Sequence, residues 1–333
     1  MNKILPKEIT NNLYYAYKRN NWMVDFSRYY KKYIDLNLNS PIFLLGLQGG
    51  GLSLVSRMLR RNDKVVSVTG DSKYWTGADE LQNVLGPILP PEFTGIKHKV
   101  PPHPEFDKPR GWLYATDELI DKYRLTSENV NEENKEKYIN ILKWTIYRQA
   151  KRRDVRFTDK SQINTVKVSF LDKVLSEYNP KFILITRDPY ALCFRSAQGK
   201  AYSLKRLQSK YSFHEILELA SQHWANSIKA ALEDGENMNN FKILKFEDIL
   251  SEPQHNMKEI CDFANLEYSE DMLPQPNHVI PFGSKRKNRW YPLKPKLNNQ
   301  YLNEITKEEI EIIDKHCGKY ASLLGYERPD ARL

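Results

Sequence analysis

A three-layer α/β fold, with about five parallel strands and helices on both faces, is predicted by three observations. Short apolar runs recur at 42–47, 65–68, 155–158, 182–186 and 241–246; helical periodicity fills the stretches between them; and a glycine turn joins the first run to the helix after it. Strand–helix alternation of this kind builds a doubly wound sheet, and ligands of such sheets bind at the carboxyl ends of the strands. A chain of 333 residues is long enough to bury one large core. It contains no internal repeat and no low-complexity linker. The reading is therefore one domain over 41–333, preceded by a Tyr-, Lys- and Asn-rich helical extension over 1–40.

The elements follow in order. Runs 42–47 and 182–186 are almost continuously apolar, as strands buried on both faces are. The other three carry Lys, Arg or Ser at alternate places and are expected nearer an edge. Residues 46–53 read GLQGGGLS and lead into the helical pattern LVSRML. A glycine turn between strand and helix sets backbone N–H groups and the positive helix end around an anion. The spacing of Gly46, Gly51 and Ser53 is that of a Walker A loop, which makes the fold P-loop-like. Leu52 stands where that loop carries the lysine that neutralises β- and γ-phosphates, so a kinase or ATPase loses its central residue. A tight turn with no ligand is the structural alternative; three consecutive glycines cost backbone entropy and favour a ligand.

Residues 86–113 are Pro-rich, hold aromatics and exceed an ordinary connector, as substrate loops do. The run at 182–186 ends in Arg187-Asp188-Pro189. Asp before Pro starts a helix, so Arg187 emerges at the carboxyl end of its strand, beside the glycine loop. Leu217, Ala220, Trp224, Ile228 and Ala231 share one helical stripe, as do Ile310, Ile313, Cys317, Tyr320 and Leu324. The latter helix opens with a capping box, Thr306 to Glu309, and stops at Gly325. Ser251 with Gln254 suggests a similar start for the helix holding Met257, Ile260 and Cys261. Residues 281–299 are basic, aromatic and without periodicity.

The net charge of +9, with pI ≈ 9.1, suits anionic ligands. Cys193, Cys261 and Cys317 lack metal-ligand spacing and read as buried free thiols; no metal is expected. The N-terminus has no apolar signal region, and no run of eighteen apolar residues occurs. The expected setting is cytoplasmic; a Golgi lumenal domain trimmed of its anchor would read the same.

The glycine loop and the Arg-Asp-Pro together resemble the sulfotransferase family, whose donor is 3′-phosphoadenosine 5′-phosphosulfate and whose product is 3′-phosphoadenosine 5′-phosphate. That family carries G-x-P-[RK]-[ST]-G-[TS]-[TS] for the 5′-phosphosulfate, which maps onto 46–53. It carries R-[DN]-P and a later Ser for the 3′-phosphate, which map onto Arg187 and Ser196. Asp159-Lys160-Ser161, the segment ILKFEDILSEPQHNMKEICDFANL, and the stretch from KRKNRWYPLKPKLN to LLGY also look similar to the bacterial and glycan members. The resemblance spans roughly 41–326.

It implies donor contacts from Gln48, Gly49, Gly50, Gly51, Leu52 and Ser53, from Arg187, Arg195 and Ser196, and from Lys285 and Arg286. Gly49 stands where the family has Arg or Lys at the sulfuryl group. Leu52 replaces a hydroxyl, and Ser196 is one residue late, with Arg195 in its place. Lys160 is expected to supply the missing cation, with Lys73 second. Asp71 is expected as the base, with His103 and His223 as alternatives; Glu247 and Asp248 read as helix caps. The implied activity is sulfuryl transfer to a hydroxyl of a carbohydrate or small metabolite, the acceptor extending to anionic glycans. Gly49 and Leu52 motivate the alternative, a non-catalytic nucleotide- or glycan-binding protein. No recognised nucleic-acid-binding fold accompanies the basic segment, so no nucleic-acid partner is expected.

Overall fold

The computed structural model describes residues 36–69, 79–86, 88–95, 110–150, 152–200, 205, 207–275 and 293–330. Most of the expected N-terminal extension therefore lies outside the described residues. Five strands, β1 (Ile42–Leu45), β2 (Val65–Val66), β3 (Arg156–Asp159), β4 (Lys181–Thr186) and β5 (Phe241–Lys245), form one sheet in the order β2-β3-β1-β4-β5. All four pairings are parallel. Helices α1 (Leu52–Leu59), α2 (Glu132–Gln149), α3 (Val168–Val174), α4 (Pro189–Ala197), α5 (Phe213–Gly235), α6 (Phe246–Ser251), α7 (Pro253–Phe263) and α8 (Lys307–Leu323) surround it. The predicted fold class is the observed one.

Period-two alternation along the strands sorts side chains into two cores. Phe43, Leu45, Phe182 and Leu184 face one side, packing with Trp224 and Ile228 of α5 and Ile313 and Cys317 of α8. Ile42, Leu44, Ile183 and Ile185 face the other, with Val55 and Met58 of α1 and Met257, Ile260 and Cys261 of α7. The three cysteines are free and buried, as expected.

Two points differ from expectation. β3, expected nearer an edge than the apolar strands, lies one strand in from the edge, between β2 and β1, but is buried throughout. Its two charged side chains are held internally, while the buried Thr158 hydroxyl has no hydrogen-bond partner. Arg156 donates to the carbonyls of Asn39 and Ser40. Asp159 accepts from the Leu81 N–H, the Ser161 hydroxyl and the Asn164 amide. A buried polar group costs little once it is paired. The second concerns α7, which starts at Pro253 behind Glu252, while Ser251 ends α6 and donates to the Asp248 carbonyl. Proline, with no N–H to leave unpaired, takes the first helical position. The box at Thr306 and Glu309 forms as expected, and Gly325 closes α8 at φ +70°.

The chain leaves β1 toward β2 on one side and leaves β4 toward β5 on the other. The crevice between the carboxyl ends of β1 and β4 is thus the point where the winding reverses, the usual ligand position in such sheets.

Candidate functional site at the tips of β1 and β4

The loop after β1 turns through three residues of positive φ: Gly46 (φ +141°), Gly49 (+89°) and Gly51 (+98°). Gly51 is the N-cap of α1, and no side chain caps that helix end. The N–H groups of Leu52 and Ser53 have no intrahelical acceptor, whereas that of Leu54 already donates to the Gly51 carbonyl. They add the positive end of the helix to the crevice. The loop is pinned from below: the Thr165 hydroxyl bonds both the N–H and the carbonyl of Gly46, and the Gly50 N–H donates to the Leu47 carbonyl. Leu52 turns its side chain into the core between sheet, α1 and α7, so only its backbone faces a ligand.

Gly51 also needs its missing side chain. A Cβ there would stand 2.2 Å from the Phe246 ring. Gly51→Ala therefore combines a left-handed backbone, costing about 1–2 kcal/mol, with overpacking of about 1–3 kcal/mol. A fall in Tm of several degrees is expected by thermal melting. An unchanged Tm would contradict this packing.

Arg187, at the tip of β4, is 3% exposed. Its Nη1 donates to the Gly49 carbonyl at 2.6 Å, and its Nε and Nη2 both donate to Asn298 Oδ1 at 2.9 and 2.8 Å. The guanidinium lies over the rings of Phe246 and Tyr301, 5.6 and 5.8 Å from their centroids. The two strand tips thus touch. Asn298 passes the connection on, donating to Glu247 Oε1 at 2.5 Å. Glu247 also accepts from the Asp188 N–H and the Tyr326 hydroxyl. Asp188 caps α4 through the N–H groups of Tyr190 and Ala191, with Pro189 at the first position.

Arg195 lies two turns along α4. Its Nη1 would stand 2.6 Å from a Cβ on Gly49, and that buried nitrogen makes no hydrogen bond. The pKa of Arg187 is lowered, first by burial and then by the charge of Arg195. Two cations therefore converge on the glycine loop, and no described carboxylate touches either guanidinium, Glu247 acting on Arg187 from behind Asn298. Ser196 faces elsewhere: its hydroxyl donates to the Leu192 carbonyl, and it lines a small cavity with Leu47 and Gln48.

The remaining expected residues are not gathered here. Lys160 is buried, with its Nζ 2.9 Å from Asp79 Oδ1 and 3.1 Å from Glu80 Oε1. Burial opposes its charge, but these carboxylates raise its pKa overall. Arg60 shares Asp79 at 3.1 Å. The charge of Lys160 is thus matched locally, and the cation beside Gly49 is Arg195. Glu247 and Asp248, expected as helix caps, lie in the first turn of α6, whose end no side chain caps; Glu247 instead binds the tip of β4 through the Asp188 N–H and Asn298. Asp71, Lys73, His103, Lys285 and Arg286 lie outside the described residues. Phe246 and Asn298 were not singled out from sequence, although both lie in stretches similar to the family.

A sequence model of the sulfotransferase family matches residues 41–270. No curated protein matches. The solved sulfotransferase STF9 from Mycobacterium avium matches with TM-score 0.54 and 14% identity, over 92% of this chain and 82% of its own. The sulfotransferase domain of the curacin biosynthetic pathway matches at 0.49 and 19% identity, over 88% and 100%. Mouse sulfotransferase SULT7A1, solved with PAP, matches at 0.44 and 12% identity, over 86% and 88%.

Proposed function

The chain belongs to the sulfotransferase family, and from that premise we propose that it moves a sulfuryl group from 3′-phosphoadenosine 5′-phosphosulfate to a hydroxyl of a carbohydrate or small metabolite. The observation that carries this reading is the convergence of Arg187 and Arg195 on Gly49, beside an uncapped helix end. A buried guanidinium nitrogen without a partner and a loop in which Cβ atoms would clash fit an anionic group held close to the backbone. The N–H groups of the loop would hold the 5′-phosphosulfate, Arg187 the 3′-phosphate, and Arg195 the sulfonate oxygens, in place of the cation absent at Gly49.

In the transfer, the acceptor oxygen forms a new S–O bond as the bond from sulfur to the 5′-phosphate oxygen breaks. The leaving oxygen keeps the electron pair, and the acceptor's proton passes to a base. Positioning and charge stabilisation supply most of the rate in such transfers. Asp71 is the proposed base. His223 is unsuited, because its Nδ1 accepts the Ala115 N–H at 3.1 Å and burial pushes its pKa down to about 3; the neutral ring then carries its proton on Nε2.

Incubation with sulfur-35-labelled donor and a panel of hydroxyl compounds tests the proposal. Label is expected on an acceptor, with 3′-phosphoadenosine 5′-phosphate released. Label that is bound but neither transferred nor hydrolysed would favour the non-catalytic nucleotide-binding reading, which Gly49 and Leu52 motivate. No metal is needed by this scheme, and no cluster of metal-ligating side chains occurs among the described residues. No described helix is long and apolar enough to cross a membrane.

A further inference from the structure

A small cavity opens beside the glycine loop on the α4–α5 side of the sheet. Its walls are largely apolar, Leu47, Trp112, Leu192 and Trp224 among them, with Gln48 of the loop, Ser196 and His223 as the polar side chains. Trp224 is fixed by its Nε1–H, which donates to the Arg187 carbonyl, so the cavity and the tip of β4 share one support. Its free interior is about 20 Å³, on the scale of one or two water-sized groups. A whole sugar ring does not fit such a space. A chain end, or the edge of one flat ring, does.

His223 is 5% exposed. Its ring packs edge-on against Tyr114, with centroids 4.6 Å apart, and its Nδ1 is engaged by the Ala115 N–H. The Nε2–H, the remaining polar edge of a side chain that lines the cavity, has no hydrogen-bond partner among the described residues. Left without an acceptor among the described residues, that donor is available to an oxygen entering the cavity. A sugar, with a hydroxyl on nearly every carbon, would instead bring more polar groups than these walls can pair.

We propose that this cavity is the acceptor pocket, that it takes the hydroxyl-bearing end of a slim, otherwise apolar alcohol, and that His223 selects it by donating Nε2–H to the alcohol's oxygen. The proposal rests on the transfer reading above and narrows its acceptor class. His223 here is an orienting donor and not the base. Its ring stays neutral across the working range, so it adds no acid limb to the pH profile.

The probes are benzyl alcohol and hexan-1-ol, compared with glucose, on wild type, His223→Phe and His223→Gln. Phe keeps the bulk and loses the donor; the Gln amide restores a donor near the position of Nε2. Loss of one hydrogen bond predicts an increase in the alcohols' KM of roughly 3–10-fold in the Phe variant, with most of it recovered in the Gln variant. Affinity for 3′-phosphoadenosine 5′-phosphate is expected to stay within about two-fold in all three, since His223 touches none of the loop. The pH profiles of wild type and His223→Gln should coincide between pH 5 and 8. Saturation-transfer NMR reads alcohol binding directly, with or without nucleotide, so a failure of sulfuryl transfer does not mask the result. Absence of alcohol binding to a protein that binds the nucleotide, equal binding of glucose, or an unaltered Phe variant would overturn the pocket assignment while leaving the transferase reading in place. Absence of nucleotide binding, with alcohols still held in a His223-dependent way, would overturn the transferase reading alone.

Discussion

Arg195→Ala is expected to lower kcat for sulfuryl transfer about 10²–10³-fold, the cost of removing one preorganised charge from a transition state. The argument runs through Gly49. The family's usual loop carries a cation there, and this chain does not. Yet the space above Gly49 is not empty of charge, because Arg195 Nη1 fills it from α4. Alanine is a good helix former, and among the described residues the Arg195 side chain makes only a long hydrogen bond of 3.5 Å, to the Lys200 carbonyl, so the fold should survive. Nucleotide affinity is expected to fall less than kcat, since charge on the sulfonate oxygens grows in the transition state. The companion variant, Gly49→Lys, puts the family's side chain back into a wild-type protein. It is expected to reduce activity rather than raise it, because its Cβ would collide with Arg195 and its backbone sits at φ +89°. Steady-state kinetics with a saturating donor check both. An Arg195→Ala enzyme within about three-fold of wild type would contradict the assignment of its role.

Asn298→Asp is expected to weaken binding of 3′-phosphoadenosine 5′-phosphate by about 100-fold, and Asn298→Ala by only about 10-fold. Asn298 stands between a cation and an anion: its Oδ1 accepts from Arg187 and its Nδ2 donates to Glu247. A neutral amide in that place holds the guanidinium in position without neutralising it, and keeps Glu247 one side chain away. Aspartate has the same shape but sets a carboxylate directly on Arg187. It cancels the charge that a phosphate needs, and it faces Glu247 at a distance where two carboxylates cannot both ionise. Alanine removes the support yet leaves Arg187 charged. The order of the two variants, measured by titration, is the informative result. A purely structural Asn298 would make the isosteric Asp the milder change.

Much of the fold was legible in the sequence because the driving force is local. β1 and β4 are almost continuous apolar runs of four to six residues, too short for a typical helix and suited to a strand covered on both faces. The start of α4 at Asp188-Pro189 and the box at Thr306 and Glu309 are short-range hydrogen-bond patterns, readable from a few residues. The full burial of β3 was not legible because burial of Arg156 and Asp159 depends on partners at Ser40, Leu81 and Asn164, which alternation alone does not reveal. The start of α7 was misread for a different reason: Ser251 and Gln254 have the spacing of a cap, but Pro253 decides where the helix begins.

The site divided along the same line. Arg187 and the glycines announce themselves by motif. Arg195 was noted only as a residue standing in for a serine; its position over Gly49 follows from the seating of α4 beside the loop, where Leu192 also meets Gly49, which spacing does not encode. Asn298 is 111 residues from the arginine it holds, in a segment whose charge drew attention to Lys285 and Arg286 instead. Phe246 looked like the last residue of a strand. It is the floor shared by Gly51 and Arg187.

The most direct test is calorimetric titration of the wild-type protein and of Arg187→Ala with 3′-phosphoadenosine 5′-phosphate. Two strand tips gripping one nucleotide predict a single saturable site in the wild type. Loss of at least two charge-assisted bonds should weaken it about 100-fold or more in the variant. No heat from the wild type at millimolar ligand, or equal affinity in the two proteins, would contradict the account.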